Sequence, residues 1–274
     1  MSATNVMALE RRAQNLLGAL DAAACVERPT LHDRQFDLAA AFAVGERLRQ
    51  LRVARGERPL GWKIGFTNRT IWDRYGVHAP IWGPVWDSTV SDLAAGRGST
   101  NLRGLCQPRL EPEIVFGFRA PPSASMNEAA LRACIEWVAH GFEIVHTHFT
   151  DWRFAAADTV ADFALHGRLF IGPRLPFDGK PGWAGELAAL RVELLRDGEV
   201  VDRGIGANVL DGPLAALRTW IAAMAEHTPQ WRVAAGEVVT TGTITDAWPL
   251  APGQRWQTRL SDDRLTGLAL EIVG

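Results

Sequence analysis

Two glutamates stand at alternate positions in a short apolar run and have the spacing to share a cation. The run reads Leu110-Glu111-Pro112-Glu113-Ile114. Side chains alternate along a strand, so Glu111 and Glu113 would point to one face, about 7 Å apart. Two such carboxylates repel each other unless a cation or a water molecule lies between them. The spacing alone is equally compatible with a solvated polar face of a sheet.

A third glutamate, Glu143, stands near the start of another apolar run, Phe142-Glu143-Ile144-Val145. An isolated acid in such a run is unfavourable unless an arginine pairs with it or a metal binds it. Three carboxylates from two strands, with no cysteine and no close histidine pair on the same face, suit a hard cation, Mg²⁺ first and Mn²⁺ next. The sequence therefore predicts Glu111, Glu113 and Glu143 as ligands of a divalent metal.

A competing metal site is offered by the run His146-Thr147-His148. In a strand both imidazoles would share the face opposite Glu143. Zinc usually requires a third protein ligand, and the spacing shows none. A surface or substrate-facing role is therefore favoured for either histidine.

Lys63 is a lone charge in a short apolar run bounded by glycines, Gly61-Trp62-Lys63-Ile64-Gly65. It could be a surface lysine whose stem lies along apolar groups, or a desolvated functional amine. Glycines on both sides allow a ligand or another backbone to approach closely, which favours the functional interpretation.

The composition excludes several classes of protein. The chain has 274 residues and a net charge of -2, which gives no electrostatic basis for binding nucleic acid or an anionic membrane. No run approaches the roughly 20 apolar residues of a membrane helix, and no signal peptide is visible. Cys25, Cys106 and Cys134 are scattered, as expected of reduced thiols. No dinucleotide loop or G-x-S-x-G elbow occurs. These features predict a soluble, cytoplasmic protein.

The hydrophobic periodicity predicts an α+β fold, with a small helical N-terminal part over residues 1–60 and a β-rich domain over residues 61–274. Residues 5–55 read as helical with a break near Pro29, and three further helices are predicted at 70–75, 127–140 and 213–226. Strands are predicted at 61–65, 110–118, 142–147, 169–171, 187–196, 238–241 and 268–273.

Several short motifs, taken together and in order, resemble one family. They are Gly61-Trp62-Lys63-Ile64-Gly65-Phe66-Thr67, Gln107-Pro108-Arg109-Leu110-Glu111-Pro112-Glu113, Phe142-Glu143-Ile144-Val145, Asp151-Trp152, Asp158-Thr159-Val160-Ala161-Asp162, Gly212-Pro213-Leu214 and Thr241-Gly242-Thr243. The chain is thereby similar, from about residue 10 to its end, to the 2-keto-4-pentenoate hydratase and 4-oxalocrotonate decarboxylase branch of the fumarylacetoacetate hydrolase superfamily.

This resemblance implies a β-rich core of the fumarylacetoacetase C-terminal type, a homo-oligomer, and a small-molecule 2-oxo acid substrate. It implies Mg²⁺ or Mn²⁺ on the three glutamates, and Lys63 as an active-site lysine that holds the substrate carboxylate or moves a proton with a lowered pKa. It further implies a catalytic role for Asp162. The implied substrate-binding residues are Thr67, Arg109, Phe163, Leu165 and Thr243.

The chain departs from the family pattern at two places. Relatives usually have Ala-Asp-Asn-Ala-Ser where this chain reads Ala161-Asp162-Phe163-Ala164-Leu165, and often an acid before Phe-Gly where it reads Pro80-Ile81-Trp82-Gly83. If these positions line the pocket, it is more apolar, accepts a bulkier substrate, and has fewer groups for proton transfer.

The function predicted is a metal-dependent hydratase that adds water to a 2-hydroxy-2,4-dienoate or related 2-oxo acid. A 2-oxo acid decarboxylase or C–C bond hydrolase on the same metal site is the enzymatic alternative. A non-catalytic partner subunit is the alternative of a different class. Retention of Lys63 and all three glutamates argues against the last of these.

Overall fold

The computed structural model describes residues 3–69, 72–75 and 79–274. The α-helices of the described residues are α1 (Ala3–Ala22), α2 (Pro29–His32), α3 (Leu38–Ala54), α4 (Trp72–Tyr75), α5 (Glu128–Cys134), α6 (Ala156–Ala161), α7 (Trp183–Ala189) and α8 (Pro213–His227). Of these helices, none has the length and apolar character that crossing a membrane requires.

The strands of the described residues belong to two mixed sheets, one of nine strands and one of five. The strands are β1 (Pro59–Gly65), β2 (Ile81–Trp86), β3 (Val90–Asp92), β4 (Arg97–Thr100), β5 (Arg109–Phe118), β6 (Ile135–Val145), β7 (His166–Ile171), β8 (Leu175–Pro176), β9 (Arg191–Arg196), β10 (Glu199–Ile205), β11 (Val238–Thr240), β12 (Trp248–Pro249), β13 (Arg255–Leu260) and β14 (Ala269–Ile272). The larger sheet has the order β2-β1-β11-β5-β6-β7-β3, and the smaller has β10-β9-β13-β14-β4. The predicted α+β class with a helical N-terminal part is confirmed.

The centre of the larger sheet is the antiparallel pair of β5 and β6, which is also the longest ladder. It pairs Arg109 with Val145 at one end and Phe118 with Ile135 at the other. β1 reaches β5 through the short strand β11, with which it runs parallel. This arrangement brings the lysine-bearing strand near the two strands that carry the glutamates.

One predicted helix, at residues 127–140, is wrong in its second half. The N-terminus of α5 is capped, because the Asn127 side chain accepts a hydrogen bond from the Ala130 amide. The helix ends at Cys134. From Ile135 the chain is strand, since the ladder with β5 supplies its backbone partners. The apolar residues of the run 135–139 fit the period of a strand as well as that of a helix. Pairing with the neighbouring strand β5 selects the strand.

The strand predicted at residues 187–196 is wrong at its start. Helix α7 extends to Ala189, and β9 begins only at Arg191. Trp183 and Leu187, four residues apart, are both buried on the inner face of this helix. The apolar run is therefore divided between a helix and a strand of the smaller sheet.

The other predicted elements lie within a few residues of elements in the structure, whereas β2, β10, β13 and α6 were not predicted. The strands β1, β5 and β11 and the helix α8 are confirmed. Of the helix predicted at residues 70–75, residues 70–71 lie outside the described part and Trp72–Tyr75 is helical.

The apolar core runs without interruption from the N-terminal helices to the larger sheet. Leu16 and Phe42 belong to the same buried cluster as Trp62 and Ile114. Phe42 stacks on Trp82 with ring centroids 4.5 Å apart. The helical part therefore packs directly on the strands that bear the candidate site.

Candidate active site and metal centre

The three predicted glutamates meet at the middle of the larger sheet. Glu111 on β5 lies directly opposite Glu143 on β6, and Glu113 is two residues further along β5. One carboxylate oxygen from each residue lies within 4.8 Å of the others. Within the described residues, this is the only such cluster of histidine, cysteine or acidic side chains. Glu113 and Glu143 are fully buried.

The oxygen atoms of this trio fit a divalent cation. Glu113 Oε2 accepts hydrogen bonds from Thr240 Oγ1 and, at 2.8 Å, from the Gly242 amide, whereas its Oε1 is buried without a hydrogen-bond partner. Leaving a buried carboxylate oxygen unsatisfied is strongly unfavourable. Oxygen ligands from several carboxylates are what hard divalent cations bind. The residues therefore suit such an ion.

Burial raises the pKa of each of the three carboxyl groups. For Glu113 desolvation, followed by the nearby charge of Glu143, raises the pKa to about 8. For Glu111 burial raises the pKa well above its ordinary value, opposed by Lys63. Burial likewise raises the pKa of Glu143, and the nearby charge of Lys63 opposes this rise. Without a cation the cluster therefore favours bound protons.

Lys63 supplies the positive charge nearest to the trio. Its amine lies 3.2 Å from Glu143 Oε2, and its side chain is only 2% exposed. Burial acts to lower the pKa of Lys63, but the charges of Glu143, Glu111 and Glu113 outweigh it, and the pKa is raised. The lowered pKa expected from apolar surroundings is therefore wrong, because the surroundings are acidic. Lys63 is an ammonium group in this site.

A narrow cleft opens beside Lys63 and Glu111. Its other lining residues in the described chain are Gly65, Phe66, Thr67, Asn68, Ile81, Arg109, Val145, Trp152, Phe154, Ala164, Leu165, Thr243, Asp246 and Ala247. Four of the five predicted substrate-binding residues, Thr67, Arg109, Leu165 and Thr243, thus lie on the cleft. Phe163 instead lines a second cavity with Trp82.

Asp162 is buried and does not belong to this lining. Its carboxylate accepts hydrogen bonds from Thr147 Oγ1 and the His148 amide, both at 2.9 Å, and lies 2.5 Å from His148 Nδ1. It thereby joins the end of β6 to the segment that follows α6. The structure brings Asp162 close to the cleft wall, and its catalytic role stays a prediction.

The two histidines beyond β6 have partners other than a metal. β6 ends at Val145, so His146 and His148 do not lie on a strand face as expected. His146 Nδ1 accepts the Cys106 amide at 3.2 Å, and His148 pairs with Asp162. Of the described residues, no third acidic, histidine or cysteine ligand completes a site around them. The competing zinc site has no support in this geometry.

The wall opposite the carboxylates contains an unusual left-handed turn. Phe163, Ala164 and Leu165 have φ angles of +55°, +51° and +64°. Three consecutive residues with side chains in this region are strained, and such strain concentrates at functional sites. The turn directs Ala164 and Leu165 into the cleft lining.

Sequence reasoning missed three groups that hold the glutamates. Thr240 and the Gly242 amide bind Glu113, and His166 Nδ1 lies 2.8 Å from Glu143 Oε1. Gly242 could have been found, because it lies in a family-like motif. Its φ is +98°, and a Cβ there would lie 1.9 Å from Thr67 Oγ1. His166 gave no signal in the sequence.

Comparison with known proteins shows the family to which the chain belongs. No family model matches it. It is 32% identical over 250 residues to the 2-hydroxyhexa-2,4-dienoate hydratase of Comamonas testosteroni, covering 90% of this chain and 92% of the relative. It is 31% identical to the 4-oxalocrotonate decarboxylase of Pseudomonas sp. (strain CF600), over 81% of each chain. The structure of 4-oxalocrotonate decarboxylase from Pseudomonas putida G7, complexed with magnesium and adipate, superposes with a TM-score of 0.88 at 25% identity, covering 97% and 98% of the two chains.

The β-rich fold with its carboxylate-lined cleft defines an enzyme of the fumarylacetoacetate hydrolase superfamily. Within it, the chain belongs to the family of 2-keto-4-pentenoate hydratases and 4-oxalocrotonate decarboxylases. The resemblance found in the sequence motifs is thus confirmed. Relatives named as hydratases, which are lyases, agree with the predicted enzyme class.

Proposed function

We propose that this chain is a Mg²⁺- or Mn²⁺-dependent hydratase that converts a 2-hydroxy-2,4-dienoate into a 4-hydroxy-2-oxo acid. The observation that carries the proposal is the trio of Glu111, Glu113 and Glu143, of which the last two are fully buried, beside the ammonium of Lys63 at a cleft that is otherwise mainly apolar. The hydratase from Comamonas testosteroni, similar over most of its length, supports the same reaction.

In this proposal, some residues of the cleft bind the metal or the substrate, and Lys63 also transfers a proton. Glu111, Glu113 and Glu143 would hold the divalent cation, which would supply positive charge against the negative charge that develops at the 2-oxygen of the substrate. Lys63, as an ammonium group, holds the substrate carboxylate and is the nearest proton donor. Thr67 and Thr243 lie on the same lining and donate their hydroxyl protons to the Thr241 and Thr245 carbonyls, so only their oxygens remain to accept a hydrogen bond.

The apolar wall determines the kind of substrate tail. Ile81, Val145 and Leu165 line the cleft with Phe66 and Phe154. A hydrocarbon tail buried against these side chains gains about 25 cal/mol for each Å² removed from water, whereas a charged tail there loses hydration. We therefore propose a dienoate with an apolar end as the substrate.

A decarboxylase acting on a dicarboxylic 2-oxo acid is the second candidate. Arg109 lines the cleft and stacks on Trp152 at 4.0 Å, where its guanidinium is placed to bind a second carboxylate. The superposed structure is a decarboxylase that binds adipate, itself a dicarboxylate. The apolar majority of the lining makes hydration of a monocarboxylate the first choice.

The test is a direct assay of purified protein with Mg²⁺ and 2-hydroxypenta-2,4-dienoate, following loss of the dienol absorbance with and without EDTA. We expect turnover that EDTA removes and that Mg²⁺ or Mn²⁺ restores. Loss of absorbance in neither arm at high enzyme concentration would refute the hydratase. Release of CO₂ from 4-oxalocrotonate, without hydration, would reassign the chain as a decarboxylase.

Glu113→Ala removes a ligand whose oxygen has no other partner. We expect Mn²⁺ binding, measured by calorimetry, to fall below detection, together with hydration. Glu237→Ala is the control, because Glu237 is a partly buried glutamate whose carboxylate accepts from Trp62 Nε1 and the Ala234 amide, away from the trio. Unaltered Mn²⁺ affinity in Glu113→Ala would contradict the metal site.

We also propose that the protein is a homo-oligomer that acts in the cytoplasm, as the family resemblance and the reduced cysteines predict. The described cysteines are all free thiols. Light scattering coupled to size exclusion measures the assembly, and a mass equal to that of one chain would contradict it.

A further inference from the structure

His166 connects the metal-binding carboxylates to the rest of the fold. It is the first residue of β7, next to β6, and is almost completely buried. Its Nδ1 lies 2.8 Å from Glu143 Oε1, and its Nε2 lies 2.8 Å from Thr89 Oγ1. A hydroxyl, an imidazole and a carboxylate thus form one continuous chain of hydrogen bonds in the interior.

The carboxylate at one end of this chain fixes the position of the ring proton. The Thr89 hydroxyl lies within hydrogen-bond distance of both the Trp86 carbonyl, at 3.1 Å, and His166 Nε2, at 2.8 Å, and an imidazole protonated only on Nδ1 accepts the hydroxyl proton at Nε2. The Trp86 amide donates to the same hydroxyl oxygen at 3.1 Å. A carboxylate that binds a cation can only accept hydrogen bonds, and Glu143 therefore requires the proton on Nδ1.

The two oxygens of Glu143 consequently have different roles. Oε1 accepts from His166, whereas Oε2 has no hydrogen-bond partner and lies 3.2 Å from the amine of Lys63. A partial turn of the carboxylate plane would move Oε1 away from the imidazole and break that bond. The ring therefore fixes the plane of the carboxylate and leaves Oε2 facing the amine of Lys63.

We infer that His166, oriented by Thr89, is a positioning residue that holds Glu143 in the orientation required to bind the metal. This inference rests on the proposed metal site and extends it to a residue outside the trio. Hydrogen bonds to metal ligands commonly change metal affinity by roughly 10- to 100-fold when they are removed.

His166 also ends the left-handed turn of the cleft wall. Its amide donates to the Phe163 carbonyl, and the Leu165 amide donates to Asp162 O at 2.8 Å. Asp162 in turn is held by Thr147 and His148. The turn is therefore tied to β6 at both ends, and His166 joins this wall to the metal ligand.

The test measures Mn²⁺ affinity by calorimetry in the absence of substrate. His166→Leu keeps the bulk of the side chain and removes both ring nitrogens, and we expect its dissociation constant for Mn²⁺ to rise by roughly 10- to 100-fold. His166→Asn places an amide N–H near the position of Nδ1, and it should recover most of that loss. Thr89→Val removes the donor to Nε2, and it should weaken binding in the same direction by less.

His146→Leu is the matched control, because His146 is equally buried but accepts the Cys106 amide and has no bond to a glutamate. Its Mn²⁺ affinity should stay within about twofold of the parent, while unfolding curves in EDTA show which variants are folded. A folded His166→Leu with parental affinity overturns the inference, as does a His166→Asn no better than His166→Leu.

If neither His166 variant folds, Thr89→Val decides the question, and parental affinity in that variant overturns the inference. Because no substrate is present, these outcomes are separate from the hydratase assay. Failure of hydration with Mn²⁺ affinities that follow this order would overturn the proposed reaction and leave the role of His166 intact.

Discussion

Lys63 and the three glutamates form a cluster in which one ammonium faces three carboxyl groups, two of them fully buried. At a separation of 3.2 Å from Glu143, the attraction is strong, but one positive charge does not balance three negative ones. The site therefore either holds protons or binds a cation.

Lys63→Met removes the ammonium while preserving the shape of an unbranched apolar stem. Hydration should fall by roughly 10²- to 10⁴-fold, because the substrate loses a charged contact and a proton donor. Mn²⁺ affinity should stay equal or increase, since a competing positive charge is gone. Initial rates and calorimetry measure the two effects, with Lys180→Met, an exposed lysine, as the control. Undiminished activity in Lys63→Met would contradict its assigned role.

The stability of the metal-free protein should decrease as the pH rises. The pKa of Glu113 is about 8 in the folded protein, against an ordinary value of 4.5, so the folded state binds more protons than the unfolded state between these limits. The protonated Glu113 therefore contributes to the free energy of unfolding fully below pH 4.5. This contribution is lost as the pH rises towards 8. In EDTA we expect the Tm to fall by about 5 °C or more between pH 5 and pH 8.5.

Two controls belong to this pH series. Glu113→Gln cannot titrate and should show a shallower slope, and saturating Mg²⁺ should raise the Tm most at high pH, where the carboxylates are ionised. Differential scanning calorimetry gives all three curves. A Tm in EDTA that is independent of pH, or that rises with it, would show that these carboxyl groups do not carry bound protons.

At the scale of elements, the left-handed turn of residues 163–165 packs against strand β2 at Gly83. A Cβ added at Gly83 would lie 2.9 Å from Ala164 Cβ and 3.2 Å from the Phe163 carbonyl oxygen. The turn and the strand therefore fit each other only because residue 83 has no side chain. This contact fixes the wall that faces the carboxylates.

Gly83→Ala should lower the free energy of unfolding by about 1–3 kcal/mol, because the turn must shift. Ala164→Gly removes the opposing Cβ and relieves left-handed strain, so alone it should be neutral or stabilising by up to about 1 kcal/mol. The double variant should recover most of the loss. Urea unfolding of the four proteins gives the coupling energy, and strictly additive effects would show that the contact is not the cause.

At the scale of the whole molecule, the helical part and the sheets share one core and several direct bonds. Thr30 donates to Asp158 through both its amide, at 3.0 Å, and its hydroxyl, at 2.6 Å. The indole of Trp231 donates to Glu46 at 2.6 Å. We therefore propose that the predicted boundary at residue 60 separates two parts of one folding unit.

The chain should unfold in a single transition. All eleven tryptophans lie after residue 60, whereas α1 and α3 lie before it. Fluorescence therefore reports the β-rich part, and far-ultraviolet circular dichroism also reports the N-terminal helices. We expect the two urea curves to coincide, and a fragment of residues 61–274 to be unfolded or aggregated. Separated curves, or a folded fragment, would establish two independent domains.

Sequence reasoning found the three glutamates of the cluster because strand alternation and neighbouring apolar residues are local properties. Glu111 and Glu113 share a face through the period of two of a strand, and Glu143 is conspicuous among apolar neighbours. It failed at residues 135–140, where pairing with β5 overrode a pattern that also fitted a helix. It also mistook the environment of Lys63, since charges distant in sequence raise its pKa.

The sequence by itself determined the α+β class, the three carboxylates, the lysine and the family, because each depends on residue type and short-range spacing. Only the tertiary structure decided which groups hold these side chains. His166 meets Glu143 across neighbouring strands, 23 residues apart in the chain, and Thr240 meets Glu113 across 127 residues. Contacts of that range arise from strand register and from the left-handed turn before His166, which no local pattern of residues encodes.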